Sequence, residues 1–219
     1  MQPQLYGLAR SVYTRIARLA LEEKGVPYTL NDVEIFGPGG APAEHLARHP
    51  FGRIPAFEQD GFWLYETAAI TRYVDEAFDG PPLQPTLPRQ RARMNQVIGV
   101  IDAYAYRPMI WDVLVERVLR PMEQRPSDEA RIAAGVAAAE VCLSALVQIA
   151  PCAPHLLGPA LTLADLHAYP VLRYYALAPE GQAALQRHPG LQRWLGMMRE
   201  RAAVLRTRSP REAALDQAA

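Results

Sequence analysis

Ser11 stands four residues after Gly7 and directly before a segment of helical period, while Tyr6 closes a short apolar run just ahead of it. A serine in that place suits a helix N-cap, its oxygen accepting from a backbone N–H of the first turn. The same hydroxyl keeps a hydrogen that can stabilise an anion. Tyr6 is a rival hydroxyl, although a tyrosine at a strand end more often fills core; Tyr13 and Thr14 are weaker ones. Glu66-Thr67 falls where a strand gives way to a helix. The pair reads as plain helix-start chemistry and equally as an anion site, because N–H groups free at a helix N-terminus receive carboxylates. Between these groups lies HPFGRIPAF, in which Pro55 sits where a buried strand should begin. Proline donates nothing to a sheet ladder, so Pro55 marks a strand start or an edge, or else a cis bond that turns the backbone out of the sheet.

Other chemistries are disfavoured. The histidines are scattered, without an HExxH motif to hold a metal. Cys142 and Cys152 lack CxxC spacing, which argues against a zinc site or a disulfide framework and makes a reducing, cytoplasmic setting the default. Lys+Arg and Asp+Glu balance at 23 each, which gives no basic excess for nucleic acid or an anionic membrane. MQPQLYGLAR has no basic start followed by an apolar run, and no stretch approaches the roughly 18 uninterrupted apolar residues of a membrane helix.

The elements that must position these groups change character near residue 80. QLYG is a brief strand, YTRIARLALEEKG a helix that stops at Gly25, and YTLNDV a second strand. APAEHLARHP is a short helix closed by Pro50. PAFEQDGFWLYE reads as two strands joined by Asp60-Gly61, a dipeptide suited to a tight hairpin, before ETAAITRYVDEAF returns to helical period. The order is β-α-β-α-β-β-α over residues 1–79. The proline-rich DGPPLQPTLP then serves as a linker, residues 80–88, and residues 89–219 are all helical. RARMNQVIGVIDAYAYRPMIWDVLVERVL is one long helical pattern interrupted or kinked at Pro108. SDEARIAAGVAAAEVCLSALVQIA starts at a Ser127 cap, and HPGLQRWLGMMRERAAVL supplies a last helix. Thr162 and Asp165 form a capping-box pattern that belongs to folding. The last dozen residues, without an apolar face, read as a loose tail.

LYGLARS, EHLARHPFGRIPAF, YETAAITRY and TLADLHAYP together resemble the cytosolic glutathione transferases, phi-class and related bacterial members most of all, over nearly the whole length. The resemblance implies a thioredoxin-like N-terminal domain, an all-helical second domain, a homodimer, and glutathione as cosubstrate without a metal. It implies a cis Ile54-Pro55 bond, whose Ile54 N–H and C=O would pair with the cysteinyl unit of glutathione in strand-like fashion. Thr67 and its amide would hold the γ-glutamyl carboxylate and Glu66 would face the ammonium. Ser11, or alternatively Tyr6, would donate to the sulfur. A free thiol titrates near 8.5, and one charge-assisted hydrogen bond with a helix N-terminus can lower it by one to two units, about 1.5–3 kcal/mol. The relatives carry basic residues before EHLA that hold the glycyl carboxylate, whereas this chain has GPGGAPA at 37–43, leaving Arg53 or His49 as substitutes. Tyr104, Tyr106, Met109 and Trp111 offer an aromatic surface for an apolar electrophile. Two other readings stand beside conjugation: a related ligand-binding or interaction protein without turnover, favoured by the missing basic residues, and a glutathione-dependent peroxidase or oxidoreductase. The absence of cysteine from the first domain counts against a protein-thiol mechanism.

Overall fold

Alternating strand segments and intervening helical ones build a mixed sheet at the N-terminal end of the chain. The structure is a computed structural model that describes residues 2–210 and 212–214. It divides into two units, one containing the chain up to Leu83 together with Ala202–Ala214, the other Gln84–Arg201.

In the first unit, β1 (Gln4–Tyr6), β2 (Thr29–Asn31), β3 (Ala56–Gln59) and β4 (Phe62–Tyr65) lie in the order β2-β1-β3-β4. β1 runs parallel to β2 and antiparallel to β3, and β3 and β4 form the expected hairpin. Asp60 and Gly61 both adopt positive φ, 51° and 83°, as a two-residue primed turn requires. Period-two alternation separates the sheet's faces. Leu5 and Phe57, paired in register, are fully buried, and Ile16 and Leu19 of α1 (Val12–Lys24) with Ile70 and Val74 of α3 (Thr67–Ala77) are buried too. A smaller cluster of Leu8, Val33 and Ile54, with Tyr6 and Ile35 against it, lies beside the β1 end. α1 stops at Gly25, whose φ of 70° lets its N–H turn back to Glu22 and Leu21. The short α2 (Ala43–Arg48) follows β2.

The proline-rich segment is not a free linker throughout. Leu83 is buried and its N–H donates to Asp75 Oδ1 at 2.7 Å, while Lys24 Nζ donates to the same carboxylate and to the Gly80 carbonyl. A buried ammonium needs such partners, and they tie residues 80–83 to the first unit.

Of the last dozen residues, 211 and 215–219 lie outside the described residues, and the described ones are not loose. The stretch read as one last helix divides at Glu200-Arg201 into α9 (Pro189–Arg199) of the second unit and α10 (Ala202–Thr207) of the first. Beyond α10, Glu212 is buried and forms an ion pair with Arg15 of α1, whose side chain has no exposed surface. Arg18 donates to the Thr207 and Arg206 carbonyls at 3.1 and 3.3 Å. A charge on the buried face of α1 needs a counter-charge, and the tail provides it.

In the second unit, α4 (Pro88–Val100) runs on without a break into π-wound stretches Ile101–Ala105 and Arg107–Leu119 and the turn α5 (Arg120–Met122). The i→i−5 bonds from Tyr106 N–H to Ile101 and from Arg120 N–H to Val115 mark the wider winding. Pro108 therefore does not end the helix: its missing N–H falls where the ladder has already shifted register. α6 (Glu129–Ile149) is capped by Asp128, which accepts from Arg131 N–H at 3.0 Å, not by Ser127, whose hydroxyl donates to the Glu116 carbonyl. α6 is long and apolar enough to cross a membrane, but Glu140 midway along it pairs with Arg187 and His188, as in a bundle helix. The Thr162–Asp165 capping box opens α7 (Leu163–Tyr175). Fully buried Asp165 accepts from Thr162 N–H, Thr162 Oγ1, Leu156 N–H and Trp194 Nε1, all at 2.8–3.0 Å. α8 (Pro179–Gln186), not marked by the sequence pattern, precedes α9.

Candidate active site

The first unit carries Ser11, Arg53, Ile54, Pro55, Glu66 and Thr67 on three loops at the ends of its helices and strands. Ser11 is the N-cap of α1, with extended backbone (φ −73°, ψ 133°), and its Oγ accepts from Thr14 N–H at 3.4 Å. That distance is long for a hydrogen bond, so the cap holds the oxygen loosely. Among the described residues the hydroxyl hydrogen meets no acceptor. Two features hold the turn around Ser11. Its N–H donates to the Leu8 carbonyl at 2.9 Å, and a side chain at Gly7 would bring Cβ within 2.4 Å of Thr14 Oγ1. Thr14 is thus fully buried under Gly7.

Tyr6 has different surroundings. The Arg48 guanidinium lies 4.4 Å from the centre of its ring, and the Trp63 ring packs at 5.5 Å. The ring is a platform between α2 and the hairpin.

Ile54-Pro55 is cis. The ladder between β1 and β3 starts only at Ala56, so the N–H and C=O of Ile54 lie outside it and bond to no described residue. The Ile54 side chain is buried against Leu8 and Val33, which leaves the backbone edge as the group available for pairing. The preceding carbonyl, of Arg53, accepts from His45 Nε2 at 2.7 Å.

Glu66 forms the N-cap of α3 at φ 69°, and its side chain makes no capping bond. Its carbonyl accepts from the N–H groups of Ala69 and Ile70, so those of Thr67 and Ala68 precede the first helical bond and stay available to an anion. The Thr67 side chain is buried and the Glu66 side chain exposed.

For the missing basic residues before EHLA, the two substitutes are not equal. His49 is 2% exposed, with its ring 4.9 Å from that of Tyr65 and an edge toward Phe51. Burial pushes its pKa below the ordinary histidine value, and the neighbouring Glu66 carboxylate offsets this only partly. His49 therefore tends to the neutral form. Arg53 is exposed, and no described carboxylate engages its guanidinium. The loop 37–43 carries a turn closed by Gly40 N–H to the Gly37 carbonyl.

In the second unit, Tyr104 is 67% exposed, Tyr106 and Trp111 are half-buried, and Met109 is fully buried, all on the π-wound segments. The resemblance in the sequence pointed to Ser11, Ile54, Glu66 and Thr67. It missed His45, although EHLARH carries the i, i+4 histidines whose first member ties down the Arg53 carbonyl.

Residues 5–82 match the glutathione S-transferase N-terminal domain, and residues 129–196 the glutathione S-transferase C-terminal domain. The chain is 30% identical to glutathione S-transferase 4 of Zea mays over 197 residues, covering 87% of this chain and 85% of the maize protein. It is also 30% identical to a glutathione S-transferase of Pseudomonas putida over 170 residues, 74% of this chain and 70% of that one. Among solved structures, glutathione transferase F7 from Populus trichocarpa superposes with a TM-score of 0.79 at 26% identity, over 94% of this chain and 97% of the poplar chain.

Proposed function

The chain belongs to the glutathione S-transferase family, and we propose that its first unit binds glutathione with the sulfur at Ser11, so that the thiolate attacks an apolar electrophile. The observation that carries this reading is the Ser11 hydroxyl: its oxygen is held loosely at a helix N-terminus and its hydrogen is uncommitted among the described residues.

Each part of the tripeptide has a complementary group. The γ-glutamyl carboxylate meets the free N–H groups at the start of α3 and the Thr67 hydroxyl, where the helix dipole favours negative charge. Exposed Glu66 faces the ammonium. The cysteinyl amide and carbonyl pair with Ile54, whose backbone no other strand uses. Arg53 takes the glycyl carboxylate in place of the basic residues that the 37–43 loop lacks. With the backbone so held, the sulfur lies at the N-terminus of α1, where the Ser11 O–H donates to it and lowers its pKa. The thiolate lone pair forms the new sulfur–carbon bond while the displaced pair leaves with the electrophile's leaving group, or shifts onto a conjugated atom that solvent protonates. Tyr104, Tyr106, Met109 and Trp111 are the aromatic and thioether groups that suit an apolar partner.

The assembly proposed is a homodimer. Phe51, Phe62, Trp63 and Tyr65 leave an exposed aromatic surface on the first unit, 69% exposed at Phe51, of the kind that association covers.

Calorimetric titration with glutathione followed by a conjugation assay against a generic aromatic electrophile tests the reading. Binding with turnover is the expected result. Binding without turnover over a broad panel of electrophiles would replace it with the carrier reading, and no binding at millimolar glutathione would exclude both.

A further inference from the structure

His45 has no exposed surface, yet one of its ring nitrogens has a partner and the other has none. Nε2 lies 2.7 Å from the Arg53 carbonyl oxygen. A carbonyl only accepts, so Nε2 carries the hydrogen and Nδ1 presents a lone pair to the interior. Nδ1 finds no donor among the described residues. A leucine or phenylalanine would fill the same space without burying a bare acceptor, and packing alone does not account for a histidine here. The Nε2–H bond does.

That bond ends on the peptide joining Arg53 to Ile54. The chain between α2 and this peptide is tied by His49 N–H to the His45 carbonyl and Gly52 N–H to the His49 carbonyl, each at 2.8 Å. Past Gly52, no other backbone bond to a described residue holds the segment until β3 begins at Ala56. The Ile54 side chain anchors one flank in the Leu8–Val33 cluster, but an apolar contact leaves the rotation of the peptide plane loose. The histidine sets that rotation.

We infer that His45 is a positioning residue: its Nε2–H fixes the Arg53–Ile54 peptide plane, and with it the backbone edge offered to a peptide-like ligand. The inference rests on the reading of Ile54 as the glutathione-binding edge and adds what holds that edge in place. A preset edge binds more tightly than one that must be ordered on binding. One neutral hydrogen bond used this way corresponds to about a tenfold change in affinity, or about 1.4 kcal/mol.

Two variants test it. His45→Phe keeps an aromatic ring, somewhat larger, and removes the donor, while His45→Gln offers an amide N–H at comparable reach. Calorimetry should show glutathione Kd raised about tenfold in His45→Phe and restored to within about threefold in His45→Gln. The midpoint of the kcat–pH profile should be unchanged in both, because Ser11 is untouched. Backbone 15N relaxation of Arg53 and Ile54 in the ligand-free protein should show added mobility in His45→Phe only, and this readout stands whether or not glutathione is the ligand. Unchanged relaxation and unchanged Kd in folded His45→Phe would overturn the inference, as would a Gln variant that rescues neither. If the parent protein bound no glutathione, the proposed function would fall and the relaxation data alone would decide the role of His45.

Discussion

The proposed reading gives Ser11 two roles, donor to the sulfur and N-cap of α1, and replacing it with alanine separates them because their expected magnitudes differ. A hydrogen bond to a charged acceptor contributes about 1.5–3 kcal/mol, which is one to two pH units in the titration of the bound thiol. On the proposed reading the thiolate is the reactive form and the O–H favours it, so this pKa should be low in the parent protein and higher in the variant. The kcat–pH profile reports the group in the bound complex. Its midpoint should therefore rise by about one to two units in Ser11→Ala. Below both midpoints kcat should fall about 10–100-fold, and above both the curves should meet. The cap contributes much less. Its Oγ···N distance to Thr14 is 3.4 Å, so the variant should lose only the low end of the usual cap value, about 0.5–1 kcal/mol in urea unfolding. An unmoved midpoint with a uniform drop in rate would mean that Ser11 positions and does not ionise. A larger shift in Tyr6→Phe than in Ser11→Ala would transfer the role to Tyr6, whose ring lies between Arg48 and Trp63.

The remaining predictions concern the groups around that hydroxyl and under it. Arg53→Ala keeps the backbone carbonyl that His45 holds, so calorimetry should show a several-fold weaker glutathione Kd with kcat within about twofold; an unchanged Kd would mean that another group receives the glycyl carboxylate. Glu212→Ala leaves the Arg15 guanidinium buried without its carboxylate and should cost about 3–5 kcal/mol, lowering Tm by roughly 6–20 °C for a chain of this size. A loss under about 1 kcal/mol would show that water reaches Arg15. Asp165→Ala strands four buried donors, among them Trp194 Nε1, and should destabilise by a similar amount; Trp194 fluorescence during unfolding follows it, and a variant as stable as the parent would refute the network.

How far these features could be read in the sequence depended on how local their causes are. Gly25, Asp60-Gly61 and Thr162–Asp165 act within a few residues of themselves, and each element they end, turn or start was legible. Ser127 and Asp128 are both good caps by type, and the choice between them was set at a distance: Glu116 takes the serine hydroxyl and leaves the aspartate to accept from Arg131. Pro108 looked like a break because proline removes an α-helical bond. The ladder there is π-wound and runs on past the proline, and nothing in the composition announces the change of winding. In the candidate site, the hydroxyl and carboxylate groups showed themselves by type and position. The histidine that steadies the Arg53 carbonyl did not, because a histidine inside EHLARH looks the same whether its ring faces solvent or a peptide plane.

The tail shows the same limit and bears on function. Arg15 sits one helical turn beyond Ser11, and its N–H closes that turn on the Ser11 carbonyl at 2.9 Å. In the sequence nothing sets it apart from Arg18, three residues later on the same helix, and arginine side chains are mostly exposed. It is instead fully buried, and its counter-charge lies 197 residues away in a segment with no apolar face of its own. Ser209 accepts from Glu212 N–H at 3.1 Å and so caps the turn that carries the carboxylate. Arg18, farther along α1, holds the backbone at Arg206 and Thr207. The helix that presents Ser11 is therefore clamped by residues far along the sequence from it. Described residues of a tail that looks dispensable by composition thus hold the helix whose N-cap is the proposed donor to the sulfur. The coupling has a measurable form: truncation after Thr207 should shift the kcat–pH midpoint upward in the same direction as Ser11→Ala, by less. A truncated protein that keeps the parent midpoint would confine the strap to stability.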